Sequence, residues 1–270
     1  MKIVSFNTNS IRIRQHQLEL LIKTHQPDVI GIQETKVQDH EFPIEMIKEL
    51  GYDAAFHGQK THYGVALLYR LPATDIHKGF AGDAEDAQRR FIRATFEENG
   101  KKITVMNGYF PQGESIDHPV KFPAKKKFYA DLTQLITQHY SPEDDLIVIG
   151  DMNVASVDND IGIGSDNARR WLKTGKCSFL PEEREWLQKL YDWGLYDSYR
   201  EQNPDVNDRF SWFDYRSKGF EREPRRGLRI DLILATRGLM EKCTDTGIDY
   251  DVRSLQKPSD HCPIWANFKL

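Results

Sequence analysis

Apolar residues along this chain fall into short blocks with two different periods. Runs rich in Val, Ile, Leu, Phe and Tyr lie at 2–7 (KIVSFN), 28–34 (DVIGIQE), 64–70 (GVALLYR), 91–96 (FIRATF), 102–110 (KITVMNGYF) and 146–150 (LIVIG). Three more follow at 230–235 (IDLILA), 247–252 (GIDYDV) and 263–268 (PIWANF). Their length and β-branched content predict strands. Helical spacing appears over 11–25, where Ile11, Leu18, Leu21 and Ile22 share one stripe, and again over 123–139 and 181–193. The last of these opens with Pro181 followed by Glu182 and Glu183, a strong helix start.

Many strands, few helices and a hairpin-length link at 97–101 (EENGK) predict mixed or antiparallel sheets. A sheet sandwich with helices outside fits this pattern. No repeat, low-complexity tract or Pro/Gly/Ser linker interrupts the chain, so a single domain over 1–270 is expected. Within it, two β-rich halves, 1–140 and 141–270, are expected to pack as one unit.

Composition narrows the function by exclusion. No apolar run approaches the roughly 18–20 residues that a bilayer-spanning helix needs. The start, MKIVSFNTNS, reads as a strand and not as a signal peptide, which makes a cytoplasmic protein the default. Cys177, Cys243 and Cys262 form no C-x-x-C pair, and the histidines form no H-x-x-x-H pattern. Any metal should therefore be a hard cation held by oxygen.

The net charge of -4 speaks against a nucleic-acid partner, but it hides three basic clusters. They are KFPAKKK (121–127), RRWLKTGK (169–176) and YRSKGFEREPRRGLR (215–229), two of them with aromatics nearby. Together they suggest a polyanion groove.

Carboxylates recur at the ends of the apolar runs. LIVIG leads into Asp151 and Asn153, SFNTN carries Asn7, GIQETK carries Glu34, and NGYFPQG carries Tyr109. RIDLIL begins with Asp231, and SDHCPIW begins with Asp260 and His261. A lone buried carboxylate is costly unless it is paired or binds a cation. A Gly-Asp pair can also simply open a loop. In a sandwich, however, the ends of some strands and the starts of antiparallel ones share a rim, so these eight residues can converge. Glu34 with neighbouring oxygens suits Mg²⁺ or Mn²⁺, and His261 beside an Asp is a positioned imidazole. No serine or cysteine elbow and no P-loop is present. Phosphoryl hydrolysis by an activated water remains.

The series SFNTNSIR, IQETK, NGYFPQG, GDMN, RIDLIL and SDHCPI resembles the endonuclease/exonuclease/phosphatase superfamily. HGQKTHYGVALL, KFPAKKKFY, RRWLKTGKCSFLPEEREW and RFSWFDYRSKGF extend the resemblance to the bacterial exonuclease III family over nearly the whole chain. The resemblance implies an α/β fold, a four-layer α/β/β/α sandwich of two mixed sheets with helices outside. It implies a Mg²⁺-dependent DNA-repair hydrolase, with Mn²⁺ as a substitute. Such an enzyme removes nucleotides from 3′ ends of duplex DNA, cuts 5′ to abasic sites and cleans blocked 3′ ends.

By the same resemblance, Tyr109, Asp151, Asn153, Asp231 and His261 are catalytic. Asn7, Glu34, Asp151, Asn153, Asp260 and His261 surround the metal. Asp151 matches the acid/base aspartate, Asn153 the phosphate binder, and Asp231 with His261 the pair at the scissile phosphate. Whether Asp151 or His261 takes the proton of the water stays open, as does the number of ions. Two departures stand out. Ser10 replaces the usual Gly, and FEREPRRGLR is longer and more basic than its usual counterpart.

The expected partner is double-stranded DNA with abasic sites, nicks or 3′ ends, bound by a monomer. Arg90, Gln112, Lys121, Lys125, Arg169, Arg170, Lys176, Trp212, Phe213 and Arg216 are the expected DNA contacts, together with the terminus of a helix beginning near Asn167. Trp212 and Phe213 are expected to wedge or stack where a base is missing. Rival readings are a superfamily phosphatase acting on inositol phosphates or lipids, and a DNA-binding module with a vestigial site.

Overall fold

The predicted strands are apolar at consecutive positions because both faces of each sheet are covered. The computed structural model describes Met1–Leu270. Its first elements are β1 (Lys2–Asn7), α1 (Gln15–His25), β2 (Val29–Gln33), α2 (Ile44–Glu49), β3 (Asp53–His57), β4 (Val65–Tyr69) and β5 (Ala73–Lys78). Then come β6 (Phe91–Glu98), β7 (Lys101–Tyr109), α3 (Lys121–His139), β8 (Leu146–Asp151), α4 (Ser165–Lys173) and α5 (Pro181–Trp193). The chain closes with β9 (Leu195–Asp197), α6 (Ser198–Gln202), β10 (Asp231–Thr236), α7 (Arg237–Met240), β11 (Cys243–Ile248), α8 (Tyr250–Arg253) and β12 (Ile264–Phe268).

One six-stranded sheet runs β11-β12-β1-β2-β4-β3 and the other β5-β6-β7-β8-β10-β9. Each is antiparallel except for one central parallel pair, β1 with β2 and β7 with β8. The inner faces meet in a core that includes Ile3, Val29, Leu67, Val105, Ile149 and Ile233. Outside one sheet, Val4, Phe6 and Ile30 pack on Leu18 and Leu21 of α1. Outside the other, Met106 and Val148 pack on Phe128 and Leu132 of α3 and Leu187 of α5. This is the four-layer α/β/β/α sandwich.

Parity along the strands explains the site. Positions two apart share a face. The inward row on β1 reads Ile3, Ser5, Asn7; on β2 Val29, Gly31, Gln33; on β7 Val105, Asn107, Tyr109. On β8 it reads Ile147, Ile149, Asp151, and on β10, read backwards, Ala235, Ile233, Asp231. Each row turns from aliphatic to polar toward the same end of the seam. The hydrophobic core thus ends in a polar mouth.

Three expectations are corrected. The span 247–252 is not a strand: β11 ends at Ile248, and the Asp249 carboxylate accepts from Val252 N at 2.9 Å to cap α8. The helix over 11–25 begins only at Gln15; Ile11 precedes it in a turn, although its side chain joins the same core. The halves 1–140 and 141–270 are not the packing units, because β5 to β10 form one sheet across that boundary and both chain ends share the other. The link at 97–101 does close the β6–β7 hairpin, with Asn99 and Gly100 at φ 52° and 77°, as a tight primed turn requires. No helix is long and apolar enough to cross a membrane.

Candidate active site

At the polar mouth, a cavity of about 260 Å³ is lined by Glu34, Tyr109, Gln112, Asp151, Asn153, Asp260 and His261, with Trp171, Lys176, Ser178, Trp212 and Ile230 completing the wall. Asn7 and Asp231 lie buried against it. All eight residues expected at the strand ends are therefore brought together.

Asn7 links the sheets. Its Nδ2 donates to Glu34 Oε1 at 2.9 Å and to Asp151 Oδ2 at 3.0 Å. Glu34 leaves the strand at φ 52°, and Lys36 at φ 55° curls back to place Nζ 2.9 Å from Glu34 Oε2 and 2.6 Å from Asn9 Oδ1. Asp260 is held at both oxygens, by Asn9 Nδ2 at 2.9 Å and Trp212 Nε1 at 3.1 Å.

His261 Nδ1 lies 2.9 Å from Asp231 Oδ2, and its Nε2 lies 3.7 Å from Asp151 Oδ2. The Ser211 hydroxyl accepts from the backbone N–H groups of Ile230 and Asp231, at 3.0 Å each, and so fixes the start of β10. Just before it, buried Arg229 pairs with Asp160 at 2.7 Å and Asp197 at 2.6 Å. Asn153, at φ 53°, donates from Nδ2 to Phe110 O at 3.0 Å.

Burial pushes Asp151 up to about 7; His261 opposes this, and Asp231 and Glu34 reinforce it. Burial disfavours the imidazolium of His261, but Asp231 and Asp151 together raise it to about 10. Burial and then Glu34 hold the Tyr109 phenol well above its ordinary value. At neutral pH, His261 is thus a cation and Asp151 is poised to exchange a proton. Ligand atoms of Glu34, Asp151 and His261 lie within 4.8 Å of one another. Four carboxylates (Glu34, Asp151, Asp231, Asp260) against three cations (Lys36, Lys176, His261) leave a formal charge of -1. The carboxylate oxygens of Glu34 and Asp151 suit a hard divalent cation, whereas the His261 imidazolium has no lone pair to offer one.

The cavity is the middle of a longer groove. Through Glu34, Tyr109 and Gln112 it opens into a lobe of about 510 Å³ that also holds Arg90 and Lys121. Through Trp171, Lys176 and Trp212 it opens into one of about 200 Å³ that also holds Arg170. Arg90 is stacked between Tyr63 and Tyr109, 4.3 and 4.5 Å from the ring centres. Arg169 and Arg216 are exposed but line none of these lobes.

Two expected DNA contacts are corrected. Lys125 is fully buried, paired with Glu183, and donates to Asn153 O at 2.8 Å. Phe213 is fully buried beside Phe210 and Cys262. Neither reaches the groove.

The residue pattern of the Endonuclease/Exonuclease/phosphatase family matches residues 4–261. The chain belongs to this family. It is 57% identical over 269 residues to exodeoxyribonuclease III of Haemophilus influenzae, with all of both chains covered. Two solved structures of the endonuclease/exonuclease/phosphatase fold superpose on the full chain, with all of each covered. An AP endonuclease from Archaeoglobus fulgidus does so at 34% identity and TM-score 0.90. A 3′ phosphatase, NExo from Neisseria, bound to a product DNA hairpin, gives the same two values.

Within this family member, sequence reasoning missed Lys36, Ser211 and Trp171. Lys36 was hidden because strand alternation stops at the left-handed turn of Glu34. Its place directly after the QET motif was the available signal.

Proposed function

We propose that residues 1–270 form one catalytic domain that hydrolyses phosphate esters at damaged or terminal sites of duplex DNA. The activities are abasic-site cutting on the 5′ side, 3′-to-5′ exonuclease action and 3′-phosphate removal. The observation that carries this is the meeting of Glu34, Asp151 and the Asp231–His261 pair in one cavity, within a groove flanked by arginine and lysine. The names of the family relatives, an exodeoxyribonuclease III, an AP endonuclease and a 3′ phosphatase bound to DNA, support the same substrate class.

Glu34 and Asp151, with Asn7 and Asp260 beside them, would hold Mg²⁺, or Mn²⁺ in its place, and the bound cation would offset phosphate charge and stabilise the leaving oxygen. The rest of the chemistry belongs to the chain. Asp151, poised near neutrality, takes a proton from the attacking water. The water oxygen bonds to phosphorus, the bond from phosphorus to the 3′ oxygen breaks, and that oxygen takes a proton from solvent to become a 3′-hydroxyl while Asp151 returns its own to solvent. The His261 imidazolium, its Nδ1 committed to Asp231, presents Nε2 to a phosphate oxygen and stabilises its charge. Tyr109 and Asn153 orient the phosphate from the opposite wall. Arg90, Gln112, Lys121, Arg170 and Lys176 neutralise flanking phosphates, and Trp212 with Ile230 offers an apolar wall to a sugar that has lost its base.

A duplex with one abasic site, incubated with Mg²⁺ and sized on a denaturing gel, tests the reading. A nick on the 5′ side of the lesion and a ladder from the 3′ end are expected, and neither with chelator. Intact DNA together with turnover of inositol phosphates would overturn it.

A further inference from the structure

One lobe of the groove carries more positive charge than the reaction centre can use. Beyond Trp171 and Trp212, the 200 Å³ lobe gathers Arg170, Lys176, Arg222 and Arg226 against a single carboxylate, Asp214. None of these four cations forms an ion pair within 4.0 Å. Arg222 is tied only to a backbone carbonyl, that of Ser217 at 2.9 Å, and Arg170 only to the neutral amide of Asn167 at 2.9 Å. The Arg226 guanidinium hangs beside Gly164, the residue before α4, 3.8 Å from where a Cβ would stand. Lys176 rests over the Trp171 ring at 3.9 Å, and four cations facing one concavity with one carboxylate leave an excess of positive charge that an anion would offset.

The neighbouring wall says where in the strand that anion lies. Trp212, Trp171 and Ile230 are apolar surfaces between the reacting phosphate and the lobe. They suit a base-less deoxyribose, which stands on the 3′ side of a phosphate cut 5′ to the lesion. The next group along the strand is another phosphate. We infer that Arg222 and Arg226, with Arg170 and Lys176, bind the phosphodiester immediately 3′ of the abasic sugar. This rests on the function proposed above and deepens it.

The consequence is selectivity between activities. A strand cut internally has a phosphate at that position. A strand ending in a 3′-phosphate has none, and neither does a 3′-terminal nucleotide. The lobe therefore favours abasic-site cutting over end trimming. Arg222 and Arg226 both stand in the basic stretch 215–229, so this balance is set by that loop.

The test compares wild type with the Arg222→Gln/Arg226→Gln double variant on two duplexes in Mg²⁺. One has an internal abasic site; the other has a recessed 3′ end that carries a 3′-phosphate, with no strand abutting it. A third duplex carries a neutral methylphosphonate at the linkage 3′ of the abasic sugar. The variant is expected to lose about tenfold in abasic cutting, through KM, and to flatten its salt dependence by about two in slope. Its 3′-phosphate removal stays within about twofold, which also reports that it is folded. The methylphosphonate should slow wild type by a similar factor and add nothing further to the variant. Equal losses on both natural duplexes, no loss on either, or full additivity with the methylphosphonate would overturn the inference while leaving the proposed function standing. Wild type inactive on every duplex would overturn both.

Discussion

Gln33 donates from Nε2 to Asn107 Oδ1 at 2.6 Å, a buried hydrogen bond that joins the two sheets directly behind Glu34 and Tyr109. Asn107 returns its own Nδ2 protons to the carbonyls of Ile32 at 2.9 Å and Ala66 at 2.8 Å on the opposite sheet. The clamp needs Gly31, since a Cβ there would stand 2.4 Å from Ile149 Cδ1 and 3.0 Å from Asn107 Oδ1. Glu34 follows a strand of one sheet and Asp151 ends a strand of the other, so the inter-sheet spacing sets the site.

Replacing Asn107 by Ala removes the side-chain donor from two buried carbonyls, while the Gln33 amide keeps Ser5 Oγ at 3.0 Å and Gly31 O at 3.3 Å. Each unsatisfied group costs about 1–3 kcal/mol. A loss of about 3 kcal/mol or more is expected, read as a lower urea midpoint at unchanged m-value. An unchanged midpoint would show that the sheets hold their spacing without the clamp.

Lys125 separates a structural role from a DNA-binding one. Its Nζ bonds Asn153 O at 2.8 Å and Gln112 O at 3.3 Å while pairing with Glu183. Lys125→Met leaves the buried Glu183 carboxylate without its counterion, held only by the N–H groups of Ser178 and Leu180, at a cost of about 3–5 kcal/mol. Stability should fall by that order, and the salt dependence of DNA binding should stay as in wild type. A salt slope lowered by about one would instead make Lys125 a phosphate contact.

Both reaction-centre groups have folded values above their ordinary ones of about 3.9 and 6.5, Asp151 at about 7 and His261 at about 10. The folded chain therefore holds protons more tightly than the unfolded one. The stability this gives is complete below the unfolded values and is lost as pH rises through the folded ones. In chelator, the share of Asp151 fades between about pH 4 and 7 and that of His261 between about 6.5 and 10. Asp151→Asn should melt higher than wild type at pH 8, with the difference shrinking toward pH 4. A difference independent of pH would show that Asp151 is not destabilised by its surroundings.

Ser10 occupies φ 94°, a region that favours glycine, and its N–H donates to Glu34 O at 2.8 Å. Holding a side chain there costs about 1 kcal/mol or more. Ser10→Gly should raise the urea midpoint by an amount worth about 1 kcal/mol. A lowered midpoint would mean that the chain freedom added by Gly outweighs the strain relieved.

Much of this architecture was legible because the central strands are buried on both faces, and acids closing such strands have few innocent explanations. The edge strands were not legible. β5 and most of β11 are polar, with side chains largely in solvent, so no apolar pattern marks them. Trp212 and Phe213 read alike as neighbours in one aromatic stretch, yet one lines the groove and the other fills the core. Lys125 read as one of four lysines in a basic cluster facing DNA, because its partner Glu183 lies 58 residues away. Local pattern conveys periodicity and chemistry; it does not convey which charged group finds a distant counterion.

The central claim is that Glu34 and Asp151, delivered by different sheets, form one cation-dependent centre for phosphate-ester hydrolysis. Its most direct test is the single-turnover rate of abasic-duplex cutting against Mg²⁺ concentration, for wild type and Glu34→Gln. The account predicts a saturable rate in wild type, none in chelator, and a loss of about 100-fold or more in the variant, with duplex affinity nearly unchanged. An undiminished rate in chelator, or in Glu34→Gln at the same Mg²⁺, would contradict it.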